Sequence, residues 1–159
     1  MTIHMTNLAP VVPADGSRTD PRTVVSSLWL FAILNYLYCD LLGLMYPKDL
    51  QGFLNGNVGG LVIDQQFLLY AAILMTVPMA SVLISRIAAH RFARIESIVA
   101  AAVMTLVQLA TLVFGTPPTL HYLYFSVIEV ATTIAIVWVA ARNWKLDTRT
   151  SQESDSKHM

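Results

Sequence analysis

Four apolar stretches, at about 24–46, 65–89, 95–115 and 119–142, take up most of the chain and leave only short polar joints between them. Each has roughly the 20 residues that cross 30 Å of hydrocarbon at 1.5 Å per residue. None alternates apolar and polar positions with a period of two, and a backbone in lipid must satisfy its own hydrogen bonds. The pattern therefore predicts helices. The fold class that follows is all-α: a polytopic membrane protein built as a four-transmembrane-helix bundle over residues 24–144. Residues 1–23 mix Thr, Pro, Asp, Gly, Ser and Arg without apolar periodicity, and residues 145–159 are polar; both are expected to be disordered tails. The first apolar run, from Val24, is too long for a signal-peptide core and is followed by no small-residue cleavage site, so it reads as an uncleaved span.

The joints differ. Between the first two spans, Pro47 to Asp64 carries turn signals at Asn55-Gly56-Asn57 and Gly59-Gly60, with Leu50, Phe53 and Leu54 spaced either for one amphipathic turn on a membrane surface or for an ordinary solvated loop. Thr116-Pro117-Pro118-Thr119 is a tight turn that makes the last two spans antiparallel neighbours. Pro78, near the middle of the second span, removes a hydrogen bond and crowds the carbonyl of Leu74, which predicts a kink. The small residues Ser97, Ala101 and Thr105 on the third span, and Ala131 and Ala135 on the fourth, fit close helix packing within one chain or between chains.

Charge fixes the expected orientation. Arg18, Arg22, Arg86, Arg91, Arg94, Arg142, Lys145, Arg149 and Lys157 all flank one side of the predicted layer, and Lys48 alone flanks the other. By the positive-inside rule both termini are cytoplasmic, and Trp138 and Trp144 at one end with Tyr46, Tyr122 and Tyr124 at the other fit interfacial aromatic belts. The composition agrees: 55% of residues are hydrophobic and 13% charged. No basic face suits nucleic acid. The single Cys39 excludes an intrachain disulfide or a Cys-x-x-Cys centre, and the scattered histidines give no ligand pair, so neither a metal nor another cofactor is expected.

Polar residues inside the spans carry the candidate chemistry. On the fourth span Tyr122, Ser126, Glu129 and Thr133 fall on a single helical face, with a carboxylate near the middle of an apolar rod. Such a group costs about 3 kcal/mol in hydrocarbon unless it faces protein or water. Counting inward from the expected outer surface at 1.5 Å per residue, Asp40 lies about 9 Å deep, Gln108 about 10 Å, Glu129 about 14 Å and Asn35 about 16 Å. Three different spans supply them, so a single inward-facing site can collect all four, with Tyr36, Thr105 and Thr111 as hydroxyl partners and His121 at the mouth. One reading is a pocket or pathway whose carboxylates take up protons. The other is structural: satisfied groups that clip helices together through Asn35, Gln108 or tyrosine hydroxyls. Glu96, close to Arg91 and Arg94, reads as an exposed ion pair, and Arg86, Arg91 and Arg94 with His90 as topology signals that touch anionic headgroups.

At Leu28-Trp29-Leu30-Phe31, followed by Asn35-Tyr36-Leu37-Tyr38-Cys39-Asp40, the chain resembles a bacterial family of small four-helix membrane proteins filed as a domain of unknown function. Gly59-Gly60, Val77-Pro78-Met79 and Ser126-Val127-Ile128-Glu129 are similar as well, so that the resemblance spans about 24–144. More loosely, the layout resembles the DoxX-like four-helix proteins. The resemblance implies fold and membrane location and no reaction.

Three functions fit this reading. The first is transport or permeation of a small solute or ion by a bacterial inner-membrane protein, with Glu129 and Asp40 lining the polar site and self-association, or a larger membrane partner, adding walls to a thin bundle. The second is a membrane enzyme or redox accessory acting on a lipid or quinone-like molecule, with the same carboxylates as acid and base; missing metal and thiol motifs weigh against it. The third is a non-catalytic membrane subunit.

Overall fold

The computed structural model describes residues 20–58, 60–113 and 117–156, with 143–156 as backbone alone. Along it run α1 (Pro21–Met45), α2 (Pro47–Leu54), β1 (Asn57–Val58), β2 (Leu61–Val62), α3 (Gln65–Ile87), α4 (His90–Val113) and α5 (Leu120–Ser156). The fold is all-α apart from the small hairpin.

Local chemistry moves several helix ends away from the edges of the apolar runs. Asp20 accepts the Arg22 amide through Oδ1 at 3.0 Å and Pro21 brings a preset φ, so α1 begins ahead of Val24 and residues 21–23 are helix instead of tail. Asp64 does the same for α3, accepting the Phe67 amide at 2.7 Å. Only Ala88 and Ala89 separate α3 from α4, which starts at His90 and not near 95. No Pro or Gly interrupts 90–95, so the charged segment expected as a turn winds into the helix and carries Arg91, Arg94 and Glu96 with it. α5 likewise runs past 142, because no helix breaker occurs before Ser156. From 145 to 156 its backbone is helical where a disordered tail is expected, and 157–159 and 1–19 lie outside the described residues, as do Thr116 and Gly59. α3 is one continuous helix through Pro78, which is fully buried.

The joint from Pro47 to Asp64 is more ordered than a solvated loop. α2 starts on Pro47 and is followed by an antiparallel pairing of Asn57 with Val62 and Val58 with Leu61. Gly60 turns the hairpin at φ +89°, a conformation that suits glycine, and its amide donates to Asn57 Oδ1 at 3.0 Å. Gly52 lies against the hairpin backbone: a Cβ there would sit 2.8 Å from the Asn57 carbonyl oxygen.

α1 packs on α3 and α5, and α4 packs on α3 and α5, so the long helices close a four-membered ring in the order α1, α3, α4, α5. Its two ends are chemically distinct. One carries the short α3–α4 joint with Arg22, Arg86, Arg91 and Arg94 (the basic end), and the other carries α2 and the hairpin (the hairpin end). Val25, Trp29, Ala32, Ala93, Ala101, Met104, Ile136 and Ala140 fill the interior between them. The outside is apolar too: Leu30, Phe31, Leu37, Leu69, Leu83, Ile95, Leu106, Val127 and Ile134 are exposed. α1, α3, α4 and Leu120–Arg142 of α5 are each long and apolar enough to cross a membrane. An apolar surface of this extent is stable only against lipid or another apolar partner.

Candidate functional site

The three-to-four-residue spacing on α5 turns one face inward. Ser126, Glu129 and Thr133 are buried and Tyr122 is half-buried, while Val127 and Ile134 on the opposite side are exposed. Glu129, at 2% exposure, meets α1. The Asn35 amide spends its two hydrogens there, on the Phe125 carbonyl at 3.2 Å and on Glu129 Oε1 at 3.3 Å. Among the described residues the second carboxyl oxygen, Oε2, is buried without a hydrogen-bond partner, and so is the hydroxyl of Tyr36, the residue after Asn35. Buried polar atoms are almost always paired, so both atoms are exceptions to the ordinary interior. The charge of Glu129 reaches Tyr36, Cys39 and Tyr122, and that of Asp40 reaches Glu129, so these groups form one electrostatic neighbourhood.

Above Glu129, toward the hairpin end, α4 and α5 are laced by a closed circuit. Gln108 donates to Ser126 Oγ at 2.6 Å and Ser126 to the Tyr122 carbonyl at 2.7 Å. The Tyr122 hydroxyl donates to Thr111 Oγ1 at 2.6 Å, and Thr111 to the Gln108 carbonyl at 2.8 Å. Below it Thr105 Oγ1 lies 2.8 Å from Thr133 Oγ1, whose own hydrogen has the Glu129 and Val130 carbonyls within reach. This circuit holds the helices in register while leaving Glu129 Oε2 uncommitted.

The eight residues singled out from sequence therefore divide. Asn35 and Glu129 are joined directly. Gln108, Ser126 and Tyr122 lie above them in the circuit, Thr133 lies below with Thr105, and Tyr36 contributes its orphaned hydroxyl. Asp40 is exposed and has no hydrogen bond or ion pair among the described residues, so it stands at the rim and not in the centre. His121 shares a 3.3 Å contact with Thr119 and does not reach Glu129. Tyr122 turns to Thr111 and away from an interfacial belt, whereas Tyr46, Tyr124 and Trp138 are exposed, with the Arg142 guanidinium 5.6 Å from the Trp138 ring centre. No three His, Cys, Asp or Glu side chains among the described residues come together as a metal site.

The basic end departs further from expectation. Glu96 makes no ion pair with Arg91 or Arg94; it is half-buried between α3 and α4, accepting Ser81 on Oε1 at 2.6 Å and Ser97 on Oε2 at 3.4 Å. Three arginines are spent on the protein itself. Arg22 donates to the Arg86 and Ala88 carbonyls at the end of α3, Arg86 to Ser26 Oγ at 2.9 Å, and Arg94 to the Ala141 carbonyl at 3.4 Å. The small-residue stripe of α4 is internal as well, with Ser97 and Ala101 fully buried. Trp29, whose buried indole N–H has no partner among the described residues, entered the sequence reading only through its apolar run and the resemblance motif.

No curated protein and no solved structure matches the chain. Residues 15–151 match a family of unknown function, DUF6326, a span that contains α1 to α4 and most of α5, and the chain belongs to this family.

Proposed function

We propose that the four long helices lie in a bacterial inner membrane with the basic end and both termini in the cytoplasm, and that a proton, small ion or small solute passes by way of the Glu129 centre. On this reading Glu129 binds and releases its cargo or a coupled proton, Asn35 orients the carboxyl through Oε1, and Tyr36 offers a hydroxyl to whatever occupies Oε2. Asp40, exposed at the hairpin end, gathers cations at the entrance. The observation that carries the reading is the buried Glu129 Oε2 left without a partner, with the unpartnered Tyr36 hydroxyl in the same electrostatic neighbourhood. A carboxylate kept only to clip helices would have both oxygens satisfied, because an unpaired buried acceptor costs about 1–3 kcal/mol. An enzyme acting on a lipid or quinone-like molecule would use the same carboxylates and has no further group here to draw on.

Purified protein reconstituted into phosphatidylcholine–phosphatidylglycerol vesicles, with a pH-sensitive dye inside, tests this. A pH step should drive proton entry above the rate of empty vesicles, and Glu129→Gln should abolish the excess while leaving the melting temperature close to wild type. Tyr36→Phe should slow entry, and Asp40→Asn should do so less. Unchanged entry in Glu129→Gln, or entry no faster than in empty vesicles, sinks the reading.

A further inference from the structure

We infer that α2 is a surface anchor whose partner is the lipid bilayer: the face formed by Leu50, Phe53 and Leu54 enters the boundary between headgroups and acyl chains at the hairpin end. Such an anchor rests on the membrane placement proposed above and is independent of passage through Glu129.

On a helix of 3.6 residues per turn Leu50, Phe53 and Leu54 fall within an arc of about 100°, and Lys48 and Gln51 point the other way. All three apolar side chains are exposed, Leu54 at 78%, and no residue of α2 is buried. The back of the helix is the part that packs. Gly52 lies against the Asn57 carbonyl, so the hairpin braces α2 on the side away from its apolar face. Eight residues are too few for a helix to persist in water by itself, and Tyr46 supplies no side-chain cap. A second surface, on the apolar side, completes the support.

Continuity, charge and area point to lipid as that surface. Tyr46 alone separates α2 from α1, whose last exposed side chains, Leu41, Leu42, Leu44 and Met45, are all apolar. The outer belt of the bundle thus runs onto the face of α2, and α2 begins at the level where that belt ends. Between Pro47 and Asn57 the only charges are Lys48 and Asp49, which cancel, so the segment offers apolar area and no attraction to an anionic headgroup or a charged protein. Three side chains on two turns are also far short of the roughly 1,000 Å² at which a specific protein contact holds. Attachment to a bilayer grows with apolar area and has no such threshold. Anchored there, α2 fixes the last turns of α1, on which Asp40 stands exposed.

Nitroxide labels on single cysteines, in a Cys39→Ser background reconstituted into phosphatidylcholine vesicles, test this. Collisions with oxygen, which enters lipid, and with a nickel chelate, which stays in water, read the depth of each label. Leu37→Cys, on the exposed side of α1, is the reference and should favour oxygen strongly. Leu54→Cys should favour oxygen several-fold more than Gln51→Cys does, at a depth of about 5–10 Å into the headgroup boundary, and Gln51→Cys should favour nickel. Adding phosphatidylglycerol should change none of the three. Leu50→Asp combined with Phe53→Asp should move the Leu54→Cys label to the nickel side and leave Leu37→Cys where it was. Nickel preference at Leu54→Cys with oxygen preference at Leu37→Cys overturns the anchor and spares the membrane placement. Line broadening at Leu54→Cys that vanishes on dilution with unlabelled protein also overturns it, because a second copy would then cover the face. Nickel preference at all three labels overturns the membrane placement and the anchor together. Depth at Leu54→Cys that appears only with phosphatidylglycerol overturns the apolar face as the cause of attachment.

Discussion

Tyr36 and Gln108 are both buried polar side chains among apolar neighbours, yet they predict opposite responses to truncation. The Tyr36 hydroxyl has no partner, so Tyr36→Phe removes an unpaid desolvation cost and should leave stability unchanged or raise it by up to about 1 kcal/mol. Gln108 holds Ser126 at 2.6 Å, and Gln108→Leu should lower stability by about 1 kcal/mol. Thermal unfolding in detergent micelles, followed by circular dichroism, separates the two. A large loss in Tyr36→Phe would mean that the hydroxyl has a structural partner and that the Glu129 centre is not open to a ligand. Part of this was legible from residue spacing alone. Positions 122, 126, 129 and 133 fall on one face because the helix repeat is fixed, and an ionisable group on that face had to look inward. What spacing cannot give is the rotation of one helix against the next. Glu96 shows the loss: on its own helix it is close in sequence to two arginines, but its carboxyl points across the seam to Ser81.

At the scale of elements, the ends of the helices and not their middles hold the surprises. Hydropathy locates a span by its apolar centre, so it places the start of α4 where the charges stop, near 95. Helix formation is decided instead by the absence of a breaker, and the helix begins at His90. The same reasoning misses the work of Arg22, which reads as a topology signal but caps α3 from the neighbouring helix by donating to Arg86 and Ala88 carbonyls at 3.2 and 3.0 Å. Arg22→Ala should therefore speed amide exchange in the last turn of α3 and cost about 1 kcal/mol, whereas loss of a pure topology signal would leave exchange there untouched. The joint around α2 was legible in part, since its Gly and Asn residues announced turns, while the contact between Gly52 and the hairpin did not appear in any local pattern. Gly52→Ala puts a methyl group 2.8 Å from the Asn57 oxygen, so it should displace the hairpin and raise exchange at residues 57–62 with the long helices unaffected. Equal exchange in variant and wild type would show that α2 and the hairpin do not pack as they stand.

For the molecule as a whole, the ring order α1, α3, α4, α5 decides which polar groups can meet. Because α1 and α4 both flank α5, the residues of one α5 face are shared between Asn35 on one side and Thr105 and Gln108 on the other. No diagonal packing is needed, and a thin bundle of four helices can enclose a carboxyl without a second chain. That arrangement is testable apart from any activity. In a Cys39→Ser background, Thr105→Cys paired with Thr133→Cys replaces two hydroxyls 2.8 Å apart by thiols, within easy reach of disulfide geometry after a small side-chain adjustment. Mild oxidation should yield an intramolecular cross-link, seen as faster migration of a monomer on a non-reducing gel. Pairing Asn35→Cys with Thr105→Cys, on helices that α5 separates, should give far less. A dimer band from the first pair would instead place α4 of one chain against α5 of another, and the Glu129 centre would then be completed between chains. A monomeric cross-link leaves each chain with its own centre. In that case any self-association has to build on the exposed outer faces, and the passage proposed through Glu129 must run inside a single bundle.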